Sequence, residues 1–170
     1  TFQLEGGLIG GLPKDASPEA RRDSFDVREL IMLQKMCTTR DCIDVLHNAI
    51  SVFAGHGVIE DFSSLPRLFR DAVINEQWEG PRNTLLTQVH RDLQRVAEWY
   101  PPADFVAHLL KGADGAVVRD LGKELTELVA HPSLMEMSEK TLAVCEQWDG
   151  FCHRLFHAYQ DLALAEVEAG

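Results

Sequence analysis

No run of about 18 apolar residues occurs in the 170-residue chain, which excludes a membrane-spanning helix. The opening residues Thr1-Phe2-Gln3-Leu4-Glu5 carry no basic flank and no long apolar stretch, so they do not read as a secretory leader. Cysteine is sparse. Cys37, Cys42, Cys145 and Cys152 lack the CxxC spacing of zinc or redox sites and read as small buried apolar residues, which points to a reducing compartment such as the cytoplasm. Basic residues are also in deficit: 16 Lys and Arg stand against 27 Asp and Glu, a net charge of −11. Arg21, Arg22 and Arg28 are interleaved with acids, so no basic face offsets that charge, and nucleic acid is disfavoured as a partner. Alternating apolar and polar residues never persist long enough to argue for a strand. Internal repeats and low-complexity tracts are missing too.

What remains is helical periodicity over one domain's length. Gly6-Gly7, Gly10-Gly11 and Pro13 are too glycine-rich for a helix, so residues 1–16 read as a lead-in, and a start at Thr suggests a piece of something longer. Ser17-Pro18-Glu19 is a helix start, with a hydroxyl cap, a proline where its missing N–H costs nothing and an acid favoured by the dipole. Val27, Leu30, Ile31, Leu33, Met36, Ile43, Val45, Leu46, Ile50 and Phe53 then recur at three- and four-residue steps, predicting one buried stripe to about residue 53. A short helix is expected around 65–71 with an irregular exit over 73–78. A long amphipathic helix should follow from about 80 to 99, packed on the first as its longest neighbour. Further helices are placed near 102–111, 116–130 and 133–167, with stops at Gly112, Gly115 and Pro132. The expected fold is all-α: an up-and-down bundle over 17–100, with a further helical tail over 101–170 packed on it.

Two short motifs carry possible chemistry. Gly55-His56-Gly57 serves either a helix-ending turn or close approach of a ligand. In Trp78-Glu79-Gly80 the acid either favours a helix start or forms a carboxylate in a partly dry pocket, where desolvation makes it a better base. Arg70-Asp71 reads as a charged pair capping a short helix. His153 and His157 lie four apart on one helix face, a metal-ligand spacing, but no third ligand is evident along the chain, so no metal is assigned. Trp99, Trp148, Phe151, Phe156 and Tyr159 read as packing residues.

Taken in order, Ala54-Gly55-His56-Gly57, Leu65-Pro66-Arg67-Leu68-Phe69-Arg70-Asp71 and Trp78-Glu79-Gly80 make residues 49–83 resemble the C-terminal helical domain of flavin-dependent acyl-CoA dehydrogenases. The Pro-Arg-Leu element and the long continuation past Glu79 are most similar to the branch of the alkylation-response dehydrogenases. The resemblance implies an FAD oxidoreductase in which Glu79 removes the α-proton of an acyl-CoA thioester. It further implies a flavin contact through Gly55, His56 and Gly57, with Ser51, Gly80 and Asn83 at neighbouring family positions. Ala54 replaces the family's first glycine, and Pro81 stands where a small hydroxyl residue is usual. Such domains assemble as dimers or tetramers. The piece alone is therefore expected to be inactive; the rival readings are a helical oligomerisation module without catalysis and, against the net charge, a nucleic-acid-associated flavoprotein.

Overall fold

The computed structural model describes residues 16–169, and among these the secondary structure is helical throughout. All but Ala16 of the expected lead-in lies outside the described residues. Six α-helices run α1 Pro18–Val52, α2 Leu65–Gln77, α3 Arg82–Val96, α4 Pro102–Leu109, α5 Gly115–Val129 and α6 Glu139–Ala169, with a 3₁₀ turn at Ala54–Val58. No helix is long and apolar enough to cross a membrane among the described residues.

Local chemistry sets most boundaries. Ser17 Oγ accepts from the Ala20 amide at 3.2 Å, with Pro18 and Glu19 in the first turn. Asp114 Oδ1 accepts from the amides of Ala116 and Val117 to open α5. The last helix starts at Glu139, six residues later than the sequence suggests, because Ser138 Oγ takes the Thr141 amide at 3.1 Å. Met135 and Met137 ahead of it are exposed and have no helical face to fill. The expected irregular stretch over 73–78 is instead helix to Gln77.

One apolar core joins the N-terminal half of α1 to α3, α4, α5 and α6. Leu33, Met36 and Cys37 meet Val89 and Leu93, Phe105 and Val106, Leu125, and Trp148, Phe151 and Leu155. Each fully buried aliphatic side chain contributes about 1.5–3 kcal/mol relative to leaving it in water. Trp148 also donates its indole N–H to the Leu86 carbonyl at 3.0 Å, so its polar edge is satisfied. The longest helices are α1, with 35 residues, and α6, with 31, rather than α1 and α3. Cys37 and Cys152 are buried as expected, whereas Cys42 is exposed and Cys145 half-buried. Trp99 is also largely open, lying over the buried Tyr100 ring.

No member of this core falls between Cys37 and Leu86. That interval forms a helical hairpin: the C-terminal half of α1, the 3₁₀ turn and α2, which packs chiefly on α1 and the turn. The predicted buried stripe therefore splits. Leu33 and Met36 are inside the core, Ile43 is buried in the hairpin, but Ile31, Val45 and Phe53 are exposed.

Candidate functional site

The Trp78-Glu79-Gly80 turn joins α2 to α3 by reversing the chain in three residues. Trp78 is extended, Glu79 lies at φ +55° and Gly80 at φ +111°, and Pro81 then sets the φ from which α3 departs. Positive φ suits Gly80 and is uncommon for Glu79, so the turn needs support. Lys35 supplies it. Projecting from mid-α1, its ammonium donates to the Asn75 carbonyl at 3.0 Å and lies within 3.4 Å of the carbonyls of Glu76, Trp78 and Gly80. A cation thus closes the C-terminal end of α2, where carbonyls lack helical partners. Arg82 fastens the other side of the turn, donating to the Met36 carbonyl at 2.7 Å and pairing with Asp149 of α6. Glu79 and Trp78 themselves face outward and are exposed.

The second motif closes α1. Ala54 takes φ +48°, and a 3₁₀ turn follows. Gly57 is buried, and a Cβ there would stand 2.2 Å from the Ile50 carbonyl oxygen, so the turn itself requires this glycine. Gly55 is different: among the described residues no heavy atom lies within 4 Å of the place a Cβ would occupy. Its exposed backbone is open to close approach, although the His56 amide of the same turn is already bonded to the Phe53 carbonyl at 3.1 Å. His56 is exposed with its ring 5.2 Å from that of Phe62, and Ser51 donates its hydroxyl back to the His47 carbonyl at 3.0 Å. Asn83 sits exposed at the start of α3, in a groove shared with Thr87, Leu142 and Glu146.

The two turns lie at opposite ends of α2, whose 13 residues span roughly 20 Å at 1.5 Å per residue. Glu79 with Gly80 and Asn83 thus forms one group, and Ser51 with Gly55, His56 and Gly57 another. An extended ligand, or two separate contacts, is required to use both. Val45, Val52, Phe53, Val58, Ile59 and Phe62, on the end of α1 and the segment after it, are exposed, as are Val73 and Ile74 of α2 and Trp78 beyond it. Arg70 of α2 pairs with Glu60 from the loop, in place of the expected partnership with Asp71.

Residues 16–94 match the family model described as acyl-CoA dehydrogenase, C-terminal domain. That segment is similar to the C-terminal domain of the acyl-CoA dehydrogenase family. Comparison with curated proteins and with solved structures returned no match. The family segment ends inside α3, so it contains both turns and the whole hairpin, while the tail from α4 onward supplies much of the core against which α1 and α3 rest.

Within the matched segment, the sequence does not reveal Lys35 and Arg82 as supports of the Glu79 turn. The only signal for Lys35 was a charge placed between Leu33 and Met36 on an otherwise apolar stripe. Nor does the sequence reveal the buried acids. Glu29 of α1 is fully enclosed; burial pushes its carboxyl up to about 8, against the opposing pull of Arg28, which donates to Oε1 at 2.9 and 3.1 Å. Its Oε2 has no hydrogen-bond partner among the described residues. Arg28 also reaches Asp92 at 2.7 Å and so ties α1 to α3. Asp26 is raised chiefly by burial, opposed by hydrogen bonds from His108 and the Tyr100 hydroxyl, and that trio joins α1 to α4.

Proposed function

We propose that the chain is the C-terminal part of an FAD-dependent acyl-CoA dehydrogenase that oxidises an acyl thioester between Cα and Cβ. The observation that carries this reading is the hairpin. Both family motifs sit on it, at either end of one helix, and apolar side chains around them are left open where another domain or subunit would cover them. In the long-tailed, alkylation-response-like arrangement, copies of the chain meet through this face as a dimer or tetramer.

Glu79 serves as the base. Lys35 and Arg82 hold the turn so that its carboxylate faces outward, toward a thioester bound between this hairpin and the covering domain. Trp78 beside it excludes water from the carboxylate once covered, which raises its basicity toward that needed to take a thioester α-proton. FAD, when bound, supplies the acceptor for the hydride that leaves Cβ. Gly55 admits a phosphate to the backbone of the glycine turn, flanked by His56, Gly57 and Ser51, while Gly80 and Asn83 line the α3 side.

The test is Glu79→Gln in the full-length enzyme, read by stopped-flow bleaching of bound flavin with a panel of acyl-CoA thioesters. Loss of the proton acceptor should slow reduction by about 10² to 10⁴ with flavin content unchanged. A glutamate that merely favours the α3 start would cost about 0.3–1 kcal/mol of stability and leave bleaching at the parental rate, which would remove Glu79 from the mechanism.

A further inference from the structure

His153 and His157 stand one turn apart on α6, and the fold brings Asp41 of α1 against them. The register follows from packing: Cys37 on α1 contacts the Cys152 carbonyl through its sulfur, Asp41 lies one turn beyond Cys37, and His153 and His157 are the first and fifth residues after Cys152. His153 Nε2 lies 2.9 Å from Asp41 Oδ1, His157 Nε2 lies 3.2 Å from Asp41 Oδ2, and the two Nε2 atoms are 3.3 Å apart. Three Lewis-basic groups therefore converge on one point.

We propose that Asp41, His153 and His157 form a site for a divalent transition metal ion, with Zn²⁺ as the reference case. Two neutral imidazoles and a carboxylate are a ligand set such ions take. The spacing agrees as well. Zn–N bonds of about 2.0–2.1 Å at tetrahedral angles put neighbouring ligand atoms roughly 3.3–3.4 Å apart, and right angles bring them to about 2.9 Å. Each side chain is between 34 and 40% exposed, so an ion enters from solution without unfolding, and water completes the coordination. The ion would clamp the tail helix α6 to α1 within the family segment, at a place apart from the Glu79 and glycine turns.

The experiment uses the chelator-stripped chain, titrated with Co²⁺ and with Zn²⁺. Isothermal titration should give one Zn²⁺ per chain with a Kd below about 10 µM. Co²⁺ should give visible d–d absorption without thiolate charge transfer, bleached by Zn²⁺. His153→Ala, His157→Ala and Asp41→Asn should each weaken binding by more than about tenfold, since losing even a group that only orients a ligand costs 10–100-fold. Cys42→Ser, at the exposed neighbouring thiol, and His47→Ala should bind as the parent does. Absence of d–d bands, thiolate charge transfer lost with Cys42, or unchanged binding in the His157→Ala chain would each overturn the site. The native Co²⁺ spectrum decides the matter even if a ligand variant fails to fold.

Discussion

Replacing Lys35 with methionine keeps the aliphatic stem and deletes the ammonium that lies within 3.4 Å of four backbone carbonyls at the Glu79 turn. Three N–H groups cannot serve four acceptors at full strength. A hydrogen bond involving a charged group nets about 1.5–3 kcal/mol, and solvent at this half-buried position screens part of that, so the expected loss is about 1–3 kcal/mol. For a chain of this size that corresponds to a fall in Tm of roughly 2–12 °C. Arginine should not restore it, because its planar fork cannot sit among carbonyls that surround a point charge. Thermal unfolding measured beside Lys123→Met, an exposed lysine of α5, isolates the effect from loss of one positive charge. Amide exchange should quicken first at Trp78, whose N–H bonds the Ile74 carbonyl at 2.9 Å. A Lys35→Met chain with the melting temperature of Lys123→Met and unchanged exchange at Trp78 would refute the account of how the turn is held.

Two more outcomes follow from steric and proton accounting. Gly57→Ala places a Cβ 2.2 Å from the Ile50 carbonyl oxygen and should cost about 1–3 kcal/mol in denaturant unfolding, whereas Gly55→Ala, facing open space, should stay within about 0.5 kcal/mol; equal losses would contradict the geometry. Folded Glu29 keeps its proton to about 8 while an unfolded glutamate releases it near 4.5, so the native state binds the extra proton between these values and stability falls as pH rises through them. Glu29→Gln should remove that fall, on the order of 3–5 kcal/mol at most, in urea melts at pH 5 and pH 9, and parallel pH dependences in the two chains would refute it.

Helix starts were legible in the sequence because they depend on neighbours in the chain. Ser17 before Pro18 and the Pro101-Pro102 break mark real boundaries, and the all-α class follows from the missing alternation. Burial of Trp148, Phe151 and Phe156 was legible for the same periodic reason. What periodicity cannot carry is which part of a stripe finds a partner. Val45 and Phe53 share the spacing of Leu33 and Met36, yet only the latter meet α3 and α6, a fact of topology. The stretch up to Gln77 looked irregular because its stabilising cation is 40 or more residues away at Lys35. Asp41 was invisible as a companion to the histidines for a similar reason: more than a hundred residues separate them. The family motifs marked both turns, while the supports of the Glu79 turn, Lys35 and Arg82, lie outside the motifs' own residues.

Between Glu19 and Val52, α1 contains neither glycine nor proline, so nothing in its composition provides a hinge. Its first half is set in the core and its far end carries the glycine turn, which makes it a lever. From Cys37, the last core residue of α1, to Val52 the arm is about 22 Å long, and a tilt of only ~5° about the buried part would swing the tip by about 2 Å. A change in how the tail bundle grips α1 is thus magnified at the distant turn, and a side chain trimmed at Phe105 or Leu125 can shift Gly55 without touching it.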